Sequence, residues 1–269
     1  MTNNPLKSAI RSIVNRFGID FVKTDSSGFP LDFSELGKRV CREVRDFTMT
    51  SLVKINALVE SVQYVEKNNI SGAFVECGVW KGGSAMAMIY ALQSTGAEDR
   101  EFFLYDTFSG MTAPAEVDIS FSGEKAIHEF TQTRTSEDSS LWCLSPLAEV
   151  KQNLLKTGYP EKLMHFVEGK VEETIPKYLP GKIAILRVDT DWYESTKHEL
   201  VHLFPLLEPN GVLIIDDYGH WKGAQKAVDE YIAENNIRIF LNRLDYAGRI
   251  AIKVPTNGST QNDQKQPGR

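Results

Sequence analysis

The chain has 269 residues, of which 42% are hydrophobic and 25% are charged, and its formal net charge is -6. This composition is typical of a globular protein and provides no basic surface of the kind that binds nucleic acids or anionic membranes. The three cysteines are too few and too scattered for a disulfide framework or a zinc site. No apolar run reaches the roughly 18 residues of a membrane span, and no signal-peptide pattern is present, so we expect a cytoplasmic protein.

The pattern along the chain predicts three regions. Residues 1–47 form an N-terminal helical extension or lid, residues 48–255 form the main α/β domain, and the polar residues 256–269 form a disordered tail. Within the extension, Leu6–Phe17 and Leu31–Phe47 have helical spacing of apolar residues. The extension is compatible with a lid, a dimer arm or simple packing, so a homo-oligomer stays open.

The main domain alternates predicted strands with predicted helices. The strands cover 73–79, 102–105, 164–167, 183–188 and 212–215, and the helices cover 49–68, 84–93, 145–156, 171–179, 193–207 and 222–235. Ser145 and Pro146 are expected as N-cap and first helical residue of the third helix. A closing hairpin pairs 237–241 with 249–254. This order predicts a parallel sheet with helices on both faces and one antiparallel strand.

The segment 111–144 is long, polar and mixed, with one possible helix at 124–130. A connection of this length inside a compact domain is usually functional. We expect it to be a lid over the site.

Four aspartates follow two of the predicted strands. Asp189 and Asp191 come directly after 183–188, and Asp216 and Asp217 follow 212–215. Ligands of open α/β sheets bind at this carboxyl edge of the strands. Four like charges in one place are costly unless a cation neutralises them or some become protonated, and a divalent ion on oxygen ligands is the simplest account. The alternative is that these residues only cap turns and helix N-termini.

A glycine-rich loop, Gly78 to Ser84, joins the first strand to its helix. Its G-x-x-x-G-G spacing differs from the G-x-G-x-x-G of dinucleotide folds, and it lacks the G-K-[ST] ending of a P-loop. Asp106 ends the next strand, where an acidic residue binds ribose hydroxyls in nucleotide-binding folds. The loop and Asp106 together indicate a cofactor that carries a ribose.

These residues also carry a family resemblance. Glu76-x-Gly78-x-x-x-Gly82 resembles motif I of class I S-adenosylmethionine-dependent methyltransferases. More narrowly, the chain resembles the macrocin O-methyltransferase (TylF-like) family, from about Arg45 to Val254. The blocks that carry this resemblance are Thr48–Ser51, Phe74–Ser84, Leu104–Met111, Val188–Thr196 and Ile215–Gly219.

The resemblance implies a Rossmann-like, seven-stranded methyltransferase sheet, to which the pattern of the chain adds the N-terminal helical extension and the lid insertion. It implies S-adenosyl-L-methionine over the glycine loop and a Mg²⁺ ion on Asp189, Asp216 and Asp217. It makes Asp191 the general base. The cofactor-binding residues that it implies are Thr50, Glu76, Gly78, Gly82, Gly83, Ser84, Asp106, Thr107, Gly169 and Asp189.

The expected function is therefore Mg²⁺-assisted O-methylation of a hydroxyl on a small sugar-containing acceptor in natural product biosynthesis. A sugar hydroxyl is a very weak acid, a metal ion lowers its pKa, and an adjacent carboxylate can take the proton. The methyl group then needs little beyond in-line placement. The alternatives are a catechol or phenol acceptor, another nucleotide-binding α/β enzyme such as a dehydrogenase, and a non-catalytic binding protein.

One competing motif is His198-Glu199-Leu200-Val201-His202, which matches the H-E-x-x-H of zinc proteases. Leu200, Leu203, Phe204 and Leu207 form the apolar stripe of this helix, and the two histidines fall nearly opposite the stripe. We therefore expect both histidines to face solvent and not to bind zinc.

Overall fold

The computed structural model describes residues 23–255. The helix expected at Leu6–Phe17 and the tail expected at 256–269 lie outside the described residues. None of the described helices is both long enough and apolar enough to cross a membrane.

Seven strands form one sheet. They are β1 (Ala73–Cys77), β2 (Phe102–Asp106), β5 (Met164–Glu168), β6 (Ile183–Val188), β7 (Leu207–Ile215), β8 (Asn242–Arg243) and β9 (Arg249–Ile252), and β3 (Arg134–Ser136) and β4 (Ser139–Ser140) form a separate hairpin. The order in the sheet is β5-β2-β1-β6-β7-β9-β8. Five of the strands run parallel, β9 runs antiparallel to β7, and β8 pairs antiparallel with β9. Only β9 thus runs against the other strands of this sheet, as the sequence predicts.

Helices cover both faces of the sheet, and β1 and β6 are therefore buried along their whole length. On one face lie α1 (Glu35–Val44), α2 (Leu52–Lys67), α3 (Gly83–Ser94) and α5 (Leu147–Leu155). On the other face lie α6 (Val171–Thr174), α7 (Tyr193–Leu203) and α8 (Lys222–Glu234). Helix α4 (Ala126–Thr133) belongs to the segment 111–144, and single 3₁₀ turns cover Arg45–Phe47, Glu161–Leu163 and Phe204–Leu206.

The strand register brings the carboxyl ends of four strands, β1, β2, β6 and β7, to one edge of the sheet. Cys77 aligns with both Tyr105 and Val188, and Val188 aligns with Ile215. The residues that end or follow these strands therefore meet in a row. They are Gly78, Asp106, Asp189 and Asp216.

Some predicted boundaries are wrong. Helix α5 begins at Leu147 with Pro146 as its N-cap residue. The Ser145 hydroxyl does not cap the helix, and it is buried without a hydrogen-bond partner among residues 23–255. The helix over 171–179 is predicted to be interrupted or restarted at Pro176, and α6 does end before this residue, at Thr174, because proline cannot supply the N–H that a continuing helix needs.

The predicted strand at 237–241 is also wrong. Ile237, Ile239 and Leu241 pack against the core, but the strand that pairs with β9 is the short β8, which begins at Asn242. Apolar alternation was therefore a signal of packing here and not of strand pairing.

The predicted lid, residues 111–144, contains α4 and the β3–β4 hairpin, and it is tied to the rest of the fold by Asp118. The buried Asp118 carboxylate accepts hydrogen bonds from the Tyr193 N–H at 2.9 Å and from the Ala115 N–H at 2.8 Å. Tyr193 is the first residue of α7, whose own N-cap residue supplies no side-chain bond. The segment therefore caps the helix that follows Asp189 and Asp191.

We expect Gly78→Ala to destabilise the fold more than Gly96→Ala. Both glycines have φ of +84°, but a Cβ on Gly96 meets no atom within 4 Å, whereas a Cβ on Gly78 lies 1.9 Å from the Asp189 carbonyl oxygen. Gly96→Ala should cost about 1–2 kcal/mol for its backbone conformation. Gly78→Ala should cost at least about 2 kcal/mol more because of the clash. Urea unfolding of both variants tests this, and equal losses would contradict it.

Candidate functional site

A cavity of about 390 Å³ opens at the carboxyl edge of the sheet. The structure places most of the predicted site residues on its wall, namely Thr50, Gly78, Asp106, Thr107, Gly169, Asp189, Asp191, Asp216 and Asp217. Four others, Glu76, Gly82, Gly83 and Ser84, do not line it. The cavity is therefore built from residues that are distant in sequence and that meet because of the strand register.

The Asp106 carboxylate holds the glycine loop in place. Its Oδ2 atom accepts from the N–H groups of Val79 at 2.7 Å and Trp80 at 3.0 Å, and its Oδ1 atom accepts from the Phe108 N–H at 2.7 Å. These bonds fix the ends of β1 and β2 side by side. A carboxylate oxygen has about two acceptor sites, so the two N–H groups occupy those of Oδ2. The Oδ1 atom also lies 3.4 Å from the Thr107 hydroxyl oxygen.

The later glycines of the loop serve helix packing. A Cβ on Gly82 would lie 2.4 Å from Leu154 of α5, and a Cβ on Gly83 would lie 2.5 Å from the Phe47 carbonyl oxygen. Ser84 is buried behind Thr50, with 3.5 Å between the two hydroxyl oxygens. Gly82, Gly83 and Ser84 therefore lie behind the residues that line the cavity.

A buried guanidinium connects the acidic residues of the site. Arg187 of β6 is 1% exposed, and its Nη1 atom donates to Glu76 at 2.6 Å. Its Nη2 atom lies 2.6 Å from Asp189 Oδ2 and 2.7 Å from Asp216 Oδ1, and it donates to the Thr50 hydroxyl at 3.0 Å. One cation therefore links β1, the end of β6, the end of β7 and the segment before α2.

Lys54 of α2 supplies a second cation at the cavity wall. Its ammonium group is largely buried and forms an ion pair with Asp216 Oδ2. Burial opposes ionisation of Asp216, but Arg187 and Lys54 together hold its pKa below the ordinary value. Asp216 is therefore fixed as a carboxylate.

The other carboxylates of the cluster are not fully compensated. Burial, followed by neighbouring carboxylates, raises the pKa of Asp189 and Asp217 well above their ordinary values, although Arg187 opposes the shift at Asp189. Asp217 Oδ2 is inaccessible to solvent and has no hydrogen-bond partner within the described part of the chain. Ligand atoms of Asp189, Asp216 and Asp217 all lie within 4.8 Å of one another. Such a set of oxygens fits a hard divalent cation.

Asp191 lies beside this cluster in a strained turn. Its φ is +67°, and its Oδ1 atom accepts a hydrogen bond from the Trp221 indole N–H at 2.7 Å. Burial and the Asp189 charge raise the pKa of Asp191 to about 7, although the Trp221 bond opposes the shift. Such a carboxylate is a better proton acceptor than an ordinary exposed aspartate.

Aromatic side chains form the wall next to Asp191. Trp142 and Trp221 line the cavity with ring centroids 6.3 Å apart, and Trp192 packs behind them. His220 and Tyr246 continue this wall toward solvent, and Tyr246 is 63% exposed. We call Trp142, Trp221, His220 and Tyr246 the aromatic wall.

Three groups of this site are not among the predicted site residues. Arg187 carried a usable signal, because a charge inside a six-residue apolar strand must have buried partners. The aromatic wall carried an indirect signal, since Trp142 belongs to the segment predicted to cover the site and His220 follows the Asp216–Asp217 pair. Lys54 carried none, because its position depends on how α2 packs.

The H-E-x-x-H motif forms no metal site here. Neither of its histidines lines the cavity. The expectation that both face solvent is only partly right, because both are half-buried: His198 Nε2 lies 2.8 Å from the Ile175 carbonyl oxygen, and His202 Nδ1 lies 2.9 Å from the His198 carbonyl oxygen. Glu199 points inward and is fully buried.

The sheet order, the single reversed strand and the acid-lined cavity define the class of protein. They are those of a Rossmann-like methyltransferase. Comparison with known proteins narrows this class to one family.

The family model described as Macrocin-O-methyltransferase (TylF) matches residues 37–251. The structure of the O-methyltransferase NovP is similar, with a TM-score of 0.68 and 28% identity over 81% of this chain and 88% of that chain. The chain therefore belongs to the macrocin O-methyltransferase family, and it is an O-methyltransferase with the fold of the S-adenosylmethionine-dependent enzymes.

Two named relatives are similar in sequence. The chain is 30% identical over 201 residues to the 8-demethyl-8-(2,3-dimethoxy-alpha-L-rhamnosyl)-tetracenomycin-C 4'-O-methyltransferase of Streptomyces olivaceus. This alignment covers 75% of this chain and 73% of that protein. It is 29% identical, over 75% of this chain and 73% of that protein, to the demethyldecarbamoylnovobiocin O-methyltransferase of Streptomyces niveus.

We expect Arg187→Met to lower the free energy of unfolding by about 3–5 kcal/mol, because it leaves buried carboxylates without their cation. Methionine keeps much of the side-chain volume, so the loss reports mainly on charge. Adding Glu76→Gln to Arg187→Met removes one of those uncompensated charges and should recover part of the loss. Urea unfolding at pH 7 measures both variants, and wild-type stability of Arg187→Met would contradict the expectation.

Proposed function

We propose that this chain transfers a methyl group from S-adenosyl-L-methionine to a sugar hydroxyl of a glycosylated natural product, with the help of Mg²⁺. The observation that carries this proposal is the position of Asp191 beside Asp189, Asp216 and Asp217, in the same cavity as Asp106. The residue proposed to bind the cofactor, Asp106, and the residue proposed to take the proton, Asp191, then share one cavity.

The cofactor belongs to the part of the cavity near the glycine loop. Gly78 allows close approach of the ligand to the backbone, and Asp106 at the end of β2 has the position at which an acidic residue binds ribose hydroxyls. Gly169 follows β5 and is assigned to the adenine side, while Thr107, Thr50 and Asp189 complete the contacts. Glu76, Gly82, Gly83 and Ser84 support this wall from behind.

The cluster of Asp189, Asp216 and Asp217 is assigned to Mg²⁺. The unpartnered Asp217 oxygen and the uncompensated negative charge support a cation in addition to Arg187 and Lys54. When bound, the ion would lower the pKa of the acceptor hydroxyl and orient it. Arg187 meanwhile keeps Asp189 and Asp216 in their positions.

Asp191 is assigned as the general base. It takes the proton of the acceptor hydroxyl while that oxygen bonds to the methyl carbon of the cofactor, and the carbon–sulfur bond breaks to leave S-adenosylhomocysteine. The Trp221 indole N–H holds the Asp191 carboxylate from the other side. The aromatic side chains around Asp191 also limit the access of water.

The acceptor belongs beside the aromatic wall. Both named relatives carry names of O-methyltransferases of natural products, and one name specifies a rhamnosyl group. The apolar face of a sugar ring stacks well on a tryptophan such as Trp142, and sugar hydroxyls then point toward Asp191. We assign Trp142 to this contact.

We expect Asp191→Asn to lower kcat by at least about 10²-fold, because the amide cannot accept the proton. The affinity for S-adenosylhomocysteine should stay within about threefold of wild type, since Asn can still accept the Trp221 bond. Methyl transfer from radiolabelled cofactor measures kcat, and calorimetry measures binding.

The matched control is Asp229→Asn, an exposed aspartate outside the cavity whose amide oxygen can still accept the hydrogen bond from the Tyr218 hydroxyl. It should turn over at the wild-type rate. Normal turnover by Asp191→Asn would remove Asp191 from the role of base.

The acceptor class is tested with three probes: demethyldecarbamoylnovobiocin, methyl α-L-rhamnoside and catechol. We expect Mg²⁺-dependent transfer to the glycosylated compound, weaker transfer to the simple glycoside, and loss of both in EDTA. Trp142→Ala should raise KM for the glycosylated compound without changing KM for the cofactor. Transfer to catechol alone would instead make the enzyme a phenol O-methyltransferase.

A further inference from the structure

One buried acidic group remains without a role in this chemistry. Glu199 of α7 is 0% exposed, and its Oε1 atom accepts a hydrogen bond from the Thr190 hydroxyl at 2.9 Å. Its Oε2 atom has no partner within the described residues. We infer that Glu199 is a positioning residue: its hydrogen bond with the Thr190 hydroxyl fixes the directions of the Asp189 and Asp191 side chains. This inference rests on the proposed function.

Thr190 is the middle residue of the turn that carries both aspartates. Its carbonyl oxygen accepts from the Trp192 N–H at 2.8 Å and from the Ser195 hydroxyl at 3.3 Å. Both of those donors are local and belong to the start of α7. The Glu199 bond is different because it ties the side chain of Thr190 to a residue nine positions along the chain, deep in the protein.

The turn needs such an anchor because its geometry is unfavourable. Asp191 has a φ of +67°, a conformation that costs energy for a residue with a Cβ. The turn also carries two carboxylates that repel each other. A fixed Thr190 sends Asp189 toward Asp216 and Asp217 and Asp191 toward Trp221.

Retaining Glu199 is costly for the core. Its helix neighbours Leu200 and Leu203 belong to the apolar core. Burial raises the pKa of Glu199 well above the ordinary value, and the nearby Glu172 and Asp189 carboxylates add to the shift against the Thr190 hydrogen bond. An apolar residue at this place would avoid the loss of solvation and leave no unpartnered oxygen. What an apolar residue cannot supply is the acceptor for Thr190.

The test is a calorimetric titration of Mg²⁺ into the full-length protein loaded with S-adenosylhomocysteine. We expect Glu199→Met and Thr190→Val each to weaken Mg²⁺ binding about tenfold, the range seen when outer partners of metal ligands are removed. The double variant should be no weaker than either single variant, because both remove one bond. Glu199→Gln keeps the acceptor oxygen and should stay within about threefold of wild type.

Leu200→Ala is the matched control for stability. Leu200 is fully buried on the same helix but does not touch the turn through a hydrogen bond, so its truncation lowers the melting temperature without changing Mg²⁺ affinity. If Leu200→Ala weakens Mg²⁺ binding as much as Glu199→Met, or if Glu199→Met binds Mg²⁺ like wild type, the positioning role is overturned.

Failure of the proposed function gives a different result. If wild-type protein binds S-adenosylhomocysteine but no Mg²⁺, the metal assignment falls, and hydrogen exchange of the metal-free protein decides the role of Glu199. Faster exchange of the Trp192 amide in Glu199→Met, but not in Leu200→Ala, supports the positioning role. Equal exchange in wild type and Glu199→Met overturns it.

Discussion

The site depends on one buried cation. Arg187 is the point at which β1, β6, β7 and the start of α2 are joined electrostatically, through Glu76, Asp189, Asp216 and Thr50. A charge in such a position is expensive to desolvate, and its partners are equally expensive without it. The parallel strands supply the geometry, since their carboxyl ends meet at one edge. The guanidinium makes it possible for acidic residues to collect there.

The charge of the cluster is nevertheless incomplete. Within the described residues, Glu76, Asp189, Asp191, Asp216 and Asp217 share only Arg187 and Lys54 as close cations. The imbalance shows in the raised pKa values of Asp189, Asp191 and Asp217, whereas Asp216, which touches both cations, has a lowered pKa. The protein thus keeps Asp216 ionised. The negative charges of Asp189, Asp191 and Asp217 still have to be neutralised by a further cation or by protonation.

The sequence predicted the parts of the fold that follow from local pattern. Continuous apolar runs gave β1 and β6, and the position of Asp189 and Asp216 just after strands gave the cluster, because strand register is shared across a parallel sheet. It failed where tertiary contacts decide. Ile237, Ile239 and Leu241 alternate like a strand but only pack, and Ser145 has the chemistry of an N-cap but lies one residue too early. Lys54 reaches the cavity from a helix whose sequence gives no signal of this position.

The assignment of the acidic cluster to a divalent cation is tested most directly by anomalous diffraction from crystals of the full-length protein grown with S-adenosylhomocysteine and Mn²⁺, which stands in for Mg²⁺. We expect one manganese peak within about 2.0–2.6 Å of carboxylate oxygens of Asp189, Asp216 and Asp217, with the cofactor product against Gly78 and Asp106. A structure with the product bound and no manganese peak at this cluster would show that the cluster is not a metal site.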